Sequence, residues 1–167
     1  YDTWYAPNNA LVVVVGDVEA DAVFALAERT YGRLPRKALP ARKPQIEPPQ
    51  RGVRRLSVKA PAETPYVLMG FRVPKLVDVT ADREPYALEL LAAVLSADEN
   101  GRFVREIVRG SRIANAAGAG YDMTQRGPAL FLLDGTPAEG RTTQEVEAAL
   151  RAQIARIAAE GVRDEEL

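Results

Sequence analysis

The stretch IANAAGAGYDMTQRGPALFLL, residues 113–133, decides how this chain folds. Residues 113–123 are dominated by Ala and Gly, among them Ala114, Ala116, Ala117, Gly118, Ala119 and Gly120. Small residues in a strand predict the close approach of a helix or of another backbone. Gln125-Arg126-Gly127-Pro128 reads as a turn and residues 129–133 as a second strand, so the whole reads as a hairpin. An antiparallel hairpin with one apolar face needs a covering layer, and the sequence on either side provides helices for it.

Downstream, Thr142 with Glu145 fits a capping box. The helix it starts, residues 143–160, places Val146, Leu150, Ile154 and Ile157 on one face, and Gly161 closes it. Upstream, Phe103, Val104, Ile107 and Val108 recur at helical spacing in a short helix that Gly110-Ser111 stops. Before it, Asp82 can cap a helix over 82–96 whose first turn tolerates Pro85. Its apolar face reads as Ala87, Leu90, Leu91, Val94 and Leu95, and Asp98-Glu99-Asn100-Gly101 breaks it. Residues 66–73 form a further strand with Val67, Met69 and Phe71 on one side, ended by Pro74, and residues 53–58 a weaker one. The order β-β-α-α-β-β-α predicts an α+β fold, a two-layer sandwich on a mostly antiparallel sheet. Strands 66–73, 113–123 and 129–133 should share that sheet, with the helices over 82–96 and 143–160 on one face.

The first third reads differently. Residues 11–15, LVVVV, show no alternation and predict a strand buried on both faces. Gly16-Asp17 ends it, and a helix over 18–31 follows with Val23, Phe24, Ala27 and Tyr31 on one face. Glu19 and Asp21 suit its start and Gly32 its C′ position. An apolar strand without neighbours invites pairing with another chain, so residues 1–32 are expected to fold back on the rest or to self-associate. Pro35, Pro40, Pro44, Pro48 and Pro49 then keep residues 33–52 extended, with Arg36, Lys37, Arg42 and Lys43 among them. Such a segment is either a basic docking element or a solvated linker, and composition favours the linker. The chain thus divides into a strand-helix unit at 1–32, a linker at 33–52 and a lobe at 53–167.

Composition excludes several chemistries. Hydrophobic residues make up 47% and charged residues 27%, an ordinary globular balance, and the formal net charge of −1 gives no overall field toward nucleic acid or an anionic membrane. No apolar run approaches the ~20 residues of a membrane helix. The chain has no His and no Cys, so it offers no imidazole or thiolate to zinc and no Ser-His pair or thiolate nucleophile. No P-loop, nucleophile elbow or dinucleotide fingerprint is present. Asp82, Glu84, Glu145, Glu147 and Asp164 sit at helix starts or exposed helix positions and read as caps and solvated charges. Arg102, Arg105 and Arg109 are spaced by three and four and share a face, with Arg112 nearby. That face could hold a carboxylate or a peptide terminus, or pair with Glu99 and Glu106, and the pairing is favoured. Tyr1 at one end and Asp164-Glu165-Glu166-Leu167 at the other, read as the first turn of a helix, make the chain look like a segment of something longer.

The order of these pieces resembles the part of pitrilysin/insulinase-type zinc metallopeptidases that follows their active site. WYAPNNALVVVVGDVEADAVFALAERTYGRLP (4–35) is similar to the last strand and helix of the family's zinc-bearing lobe. PYVLMGFRVP (65–74) and DREPYALELLAAVLS (82–96) resemble the opening strand and helix of its second lobe. GRFVREIVRGSRIANAAGAGYD (101–122) and EVEAALRAQIARIAAEGVRDEEL (145–167) resemble that lobe's central passage and its later helix. The resemblance implies a metalloprotease-lobe fold of the mitochondrial processing peptidase kind. The chain would be the non-catalytic lobe of a zinc-dependent endopeptidase, helping a catalytic lobe enclose a peptide, or the matching part of an inactive, substrate-gripping partner subunit. An unrelated α+β binding module is the remaining reading. Zinc would belong to the parent, on an H-x-x-E-H motif and a distant Glu outside this chain, and a bacterial periplasmic or cytoplasmic setting is implied. The family often carries, in its second lobe, an Arg followed seven residues later by a Tyr near the substrate. The equivalent positions here are Val108 and Asn115, which do not match, with Arg109 next to the first. Arg109, Asn115 and Arg102 are therefore the candidate substrate contacts, and no catalytic or metal-binding residue is expected in the chain.

Overall fold

The computed structural model describes residues 1–43, 48–97 and 99–166. It divides into two compact units, Tyr1–Leu56 and Ser57–Leu167. Pro44, Asp98 and Leu167, named above in the linker, the helix break and the chain end, lie outside the described residues.

In the second unit, β1 (Val67–Val73), β2 (Ala114–Gly120) and β3 (Ala129–Pro137) form one antiparallel sheet in the order β1-β3-β2. The expected strands share a sheet, and β3 runs past the expected Leu133 to Pro137 because both neighbours pair along its length. Alternate β3 residues Ala129, Phe131, Leu133, Gly135 and Pro137 are buried, while Leu130, Leu132, Asp134 and Thr136 between them are not. This is the period-two pattern of a sheet covered on one face. The cover is α2 (Glu84–Ser96), an eight-residue π-helix (Phe103–Gly110) and α3 (Thr143–Glu160). Leu95, Phe103, Ile107, Val146 and Leu150 meet Met69, Phe131 and Leu133 in one core, the α+β sandwich read from the sequence. Phe71 on the edge strand keeps part of its ring open, and the Arg151 guanidinium of α3 lies 5.9 Å from the ring centroid. The Tyr121 hydroxyl donates to the Pro74 carbonyl and the Leu76 N–H to the Met123 carbonyl at 3.0 Å, tying together the segments beyond β1 and β2.

Small residues let the layers approach. A Cβ on Gly135 would lie 2.6 Å from the Val146 Cγ1 of α3 and 3.3 Å from the Ala116 carbonyl oxygen. Neither neighbour is free to move, one being core and the other sheet backbone. Gly135→Ala is therefore expected to cost about 1–3 kcal/mol by overpacking. A urea titration would check this, and an unchanged midpoint would show that α3 is free to slide.

The Thr142 capping box forms as expected: Thr142 Oγ1 accepts from the Glu145 N–H at 3.2 Å, and the Glu145 carboxylate accepts from the Thr142 N–H at 2.8 Å. Val146 and Leu150 are fully buried, Ile154 and Ile157 pack beside them, and Gly161 follows with φ 77.

Other expectations need correction. Asp82 does not cap α2. Its carboxylate accepts the N–H groups of Val77 and Asp78, both at 2.8 Å, within the preceding loop, and α2 starts after Arg83 with Pro85 in its first turn. The inward face of α2 uses Leu88, Leu91, Ala92, Val94 and Leu95, whereas Leu90 is 46% exposed and Ala87 is exposed too. A thirteen-residue helix beside a three-stranded sheet has only a narrow buried stripe, and Leu90 falls outside it. Residues 53–58 form no strand and their apolar side chains are exposed.

The first unit contains α1 (Ala20–Thr30), followed by a 3-10 turn, Tyr31–Arg33, that includes Gly32. Gly32 keeps a negative φ, so the helix tightens where a left-handed cap was expected. Residues 11–15 form no strand, and Val12 and Val14 are 59% and 52% exposed. A strand exists only with a hydrogen-bonded neighbour, and this unit holds no other strand among the described residues. Within this unit the Asn8 side chain donates to the Lys37 carbonyl (3.1 Å) and accepts the Lys37 N–H (2.9 Å). The Lys37 ammonium donates to the Asp2 carbonyl, and Arg42 lies 5.7 Å from the Trp4 ring centroid.

Candidate functional site

The candidate residues lie on the passage from the π-helix into β2. The π-helix begins with two buried anchors, Phe103 and Ile107. At its end the Ser111 N–H donates to the Glu106 carbonyl at 2.9 Å, five residues back, and Ser111 Oγ donates to the same oxygen at 2.9 Å. Arg112 then takes a left-handed conformation, φ 51, uncommon for a residue with a Cβ, and the chain turns into β2. Turns closed by i→i+5 bonds hold more residues than α-helical turns, so each residue advances less around the axis. Over the six steps from Phe103 to Arg109 an ideal π winding lags an α-helix by about one residue position. The sequence predicted a short helix here, and its wider winding is the correction.

The three arginines do not act as one face. Arg102 is 3% exposed. Its Nε and Nη2 donate to the two carboxylate oxygens of Glu166 at 2.8 and 2.6 Å, and Nη2 also reaches the Gly161 carbonyl at 3.1 Å. Nη1 of Arg102 is buried and has no hydrogen-bond partner. Arg105 Nη2 and Arg163 Nη2 each donate to Glu166 Oε1 at 3.2 Å, and the Arg163 N–H to Oε2 at 3.1 Å. These bonds, those from Arg102 and Arg163 first, hold the Glu166 carboxyl far below the usual carboxylate range. Arg109 stands apart, with its Nη2 2.9 Å from Glu99 Oε2 and both side chains largely exposed. Glu106 pairs with Arg156 of α3 at 3.6 Å. Asn115 is exposed on β2, and its amide lies 3.5 Å from the Pro137 carbonyl, beyond good hydrogen-bond distance. Arg102 and Arg105 thus converge on one carboxylate, while Arg109 and Asn115 remain open to solvent.

Sequence reading missed Glu166 as a partner. It appeared as one acid in a helix start, yet its 3-10 turn, Asp164–Glu166, brings it to an Arg sixty-four residues away. No local pattern signals such a pairing. A second missed contact is on the open face of the sheet. There Asp134 lies over β2, its Oδ1 2.8 Å from where a Cβ on Gly118 would stand. Burial, then the Asp134 charge, raises the pKa of Tyr66 nearby.

The zinc implied by the sequence resemblance does not fit these residues. The chain has no imidazole or thiolate, and among the described residues no group of three or more carboxylates is placed to hold an ion. No helix among the described residues is long and apolar enough to cross a membrane.

The second unit is a two-layer α+β lobe in which Arg102, Arg105, Arg109, Glu106 and Glu145 are engaged in ion pairs and a helix cap. The family model described as the Peptidase M16 inactive domain matches residues 1–167, and the chain belongs to that pitrilysin-type family. It is 29% identical over 143 residues to the zinc protease PqqE of Helicobacter pylori, a match that spans 82% of this chain and 31% of the relative. Its fold matches the crystal structure of a protease from Helicobacter pylori with a TM-score of 0.85 and 25% identity, over 98% of this chain and 39% of that one. The matches therefore span 31% and 39% of the length of these two proteins.

Proposed function

We propose that this chain is the non-catalytic lobe of a zinc-dependent endopeptidase and helps a catalytic lobe enclose a peptide substrate. The observation that carries the reading is the family match over the whole chain to a domain described as inactive. A chain without His or Cys is in keeping with it. In this reading residues 1–32 complete the catalytic-type lobe, 33–52 link, and 53–167 form the second lobe. The exposed residues 11–15 would then be covered by the catalytic lobe, or by a second copy when the chain is alone. Arg109 and Asn115 are the proposed substrate contacts, whereas Arg102 is buried and engaged by Glu166 and the Gly161 carbonyl. The π winding favours Arg109 in this role, because an ideal lag of about one residue brings position 109 toward where position 108 would lie on an α-helix. Its exposed ion pair with Glu99 contributes little, so exchanging Glu99 for a peptide carboxylate costs little.

The test is complementation. The catalytic lobe of the parent, carrying its zinc motif, is assayed on an unfolded peptide with and without this chain. The chain alone should show no hydrolysis, and the mixture should exceed the catalytic lobe alone by about tenfold or more in kcat/KM. Arg109→Ala should raise KM with little change in kcat. Equal rates with and without the chain would reject the enclosing role.

A further inference from the structure

The net charge of −1 conceals a strongly segregated chain. Residues 33–59 carry nine Lys or Arg against the single carboxylate Glu47. Residues 1–32 carry five carboxylates against Arg29, and residues 60–167 carry seventeen against twelve Lys or Arg. The local excess is what a partner senses, because charges are screened over about 8 Å at physiological salt. Lys37 and Arg42 are engaged by Asp2, Asn8 and Trp4, and Arg55 also has a partner. Arg33, Arg36, Lys43, Arg51, Arg54 and Lys59 are exposed and make no ion pair among the described residues. Pro35, Pro40, Pro48 and Pro49 favour extended backbone at their own positions.

We propose that this segment is an adhesion element for an anionic lipid surface. Charge complementarity requires a polyanionic partner, and the uncharged side chains choose among polyanions. Leu34, Val53, Leu56 and Val58 are 49%, 78%, 86% and 77% exposed, aliphatic groups that can enter the headgroup boundary beside each basic cluster. Residues 33–59 contain no Phe, Trp or Tyr, so the segment lacks the stacking platform that single-stranded nucleic acid binding uses. A bilayer is broad and needs no fixed groove, which suits basic residues that share no one helix or strand. This role is independent of the peptidase reading: it would bring the protein to a surface whatever its lobes enclose.

The test is flotation of the 167-residue chain with phosphatidylcholine vesicles, with and without ~30 mol % phosphatidylglycerol, at ~50 mM and ~500 mM NaCl. At low salt, at least about tenfold more protein should float with the anionic vesicles, and high salt should abolish the difference. A variant with Arg33, Arg36, Lys43, Arg51, Arg54 and Lys59 all changed to Gln should fall to the neutral-vesicle level with an unchanged circular dichroism spectrum. Equal flotation with neutral and anionic vesicles, no flotation, or a variant that floats like the parent chain would overturn the proposal. So would complete displacement from the vesicles by an equimolar single-stranded oligonucleotide, which would reassign the segment to nucleic acid.

Discussion

Phe103→Ala is expected to lower the unfolding free energy of the second unit by about 4 kcal/mol. The ring is fully buried where the three helical segments and the sheet meet, in the cluster with Leu95, Ile107, Leu133 and Leu150. Removing it forfeits the transfer of an aromatic side chain and leaves a cavity. The surroundings cannot collapse into that space. Leu133 is held by ladder pairing to both edge strands, and Ile107 is held by the π-helix. Leu90→Ala is the comparison. The sequence pattern places Leu90 on the same apolar face as Leu95, but it is 46% exposed, so its loss should stay within about 0.5 kcal/mol. Urea unfolding of both variants decides the matter. Similar losses from the two would mean that α2 is rotated from the orientation described here.

Glu166→Ala should lower stability by about 2–3 kcal/mol. The intact pair is nearly closed to solvent, with 4% and 5% of the Arg102 and Glu166 side chains exposed. Removing one partner leaves a buried guanidinium without its counterion, a change that costs about 3–5 kcal/mol in deep cores. The smaller figure applies because the 3-10 turn can swing away and admit water to Arg102. A pH signature separates this pair from ordinary packing. The folded Glu166 carboxyl titrates far below its unfolded value, so near and below pH 4–5 the unfolded chain binds a proton that the folded chain refuses. Its stabilisation is therefore complete above about pH 5 and is lost progressively as pH falls. The Glu166→Gln variant should show a flatter acid limb than the parent chain. Parallel acid limbs for the two would show that the pair carries no net linkage.

Much of the second unit was readable because its signals are local. The Thr142 and Glu145 pair is three residues apart, and a capping box needs nothing from elsewhere in the chain. The stripe Val146, Leu150, Ile154 and Ile157 follows from the helical period alone. Where a local signal competed with a tertiary one, the reading failed. Asp82 offered a plausible cap, but two backbone N–H groups of the loop before it claimed its carboxylate. Residues 11–15 had the composition of a buried strand but no neighbour to pair with. The candidate site divides the same way. That arginines cluster around the short helix was legible from their spacing. That Arg102 is an internal tether while Arg109 faces solvent was not, because it depends on Glu166 arriving from sixty-four residues away.

The sequence by itself determined the element order from residue 66 onward, the α+β class, the apolar face of α3, and the absence of any imidazole or thiolate for zinc. These depend on periodicity, capping and residue chemistry, which act within a few residues. Only the tertiary structure decided the β1-β3-β2 order, the rotation of α2 that leaves Leu90 outside, the π winding of residues 103–110, and the burial of Arg102 against Glu166. Those features come from packing and charge pairing between segments far apart in the chain, where the partner that completes each interaction has no fixed place in sequence.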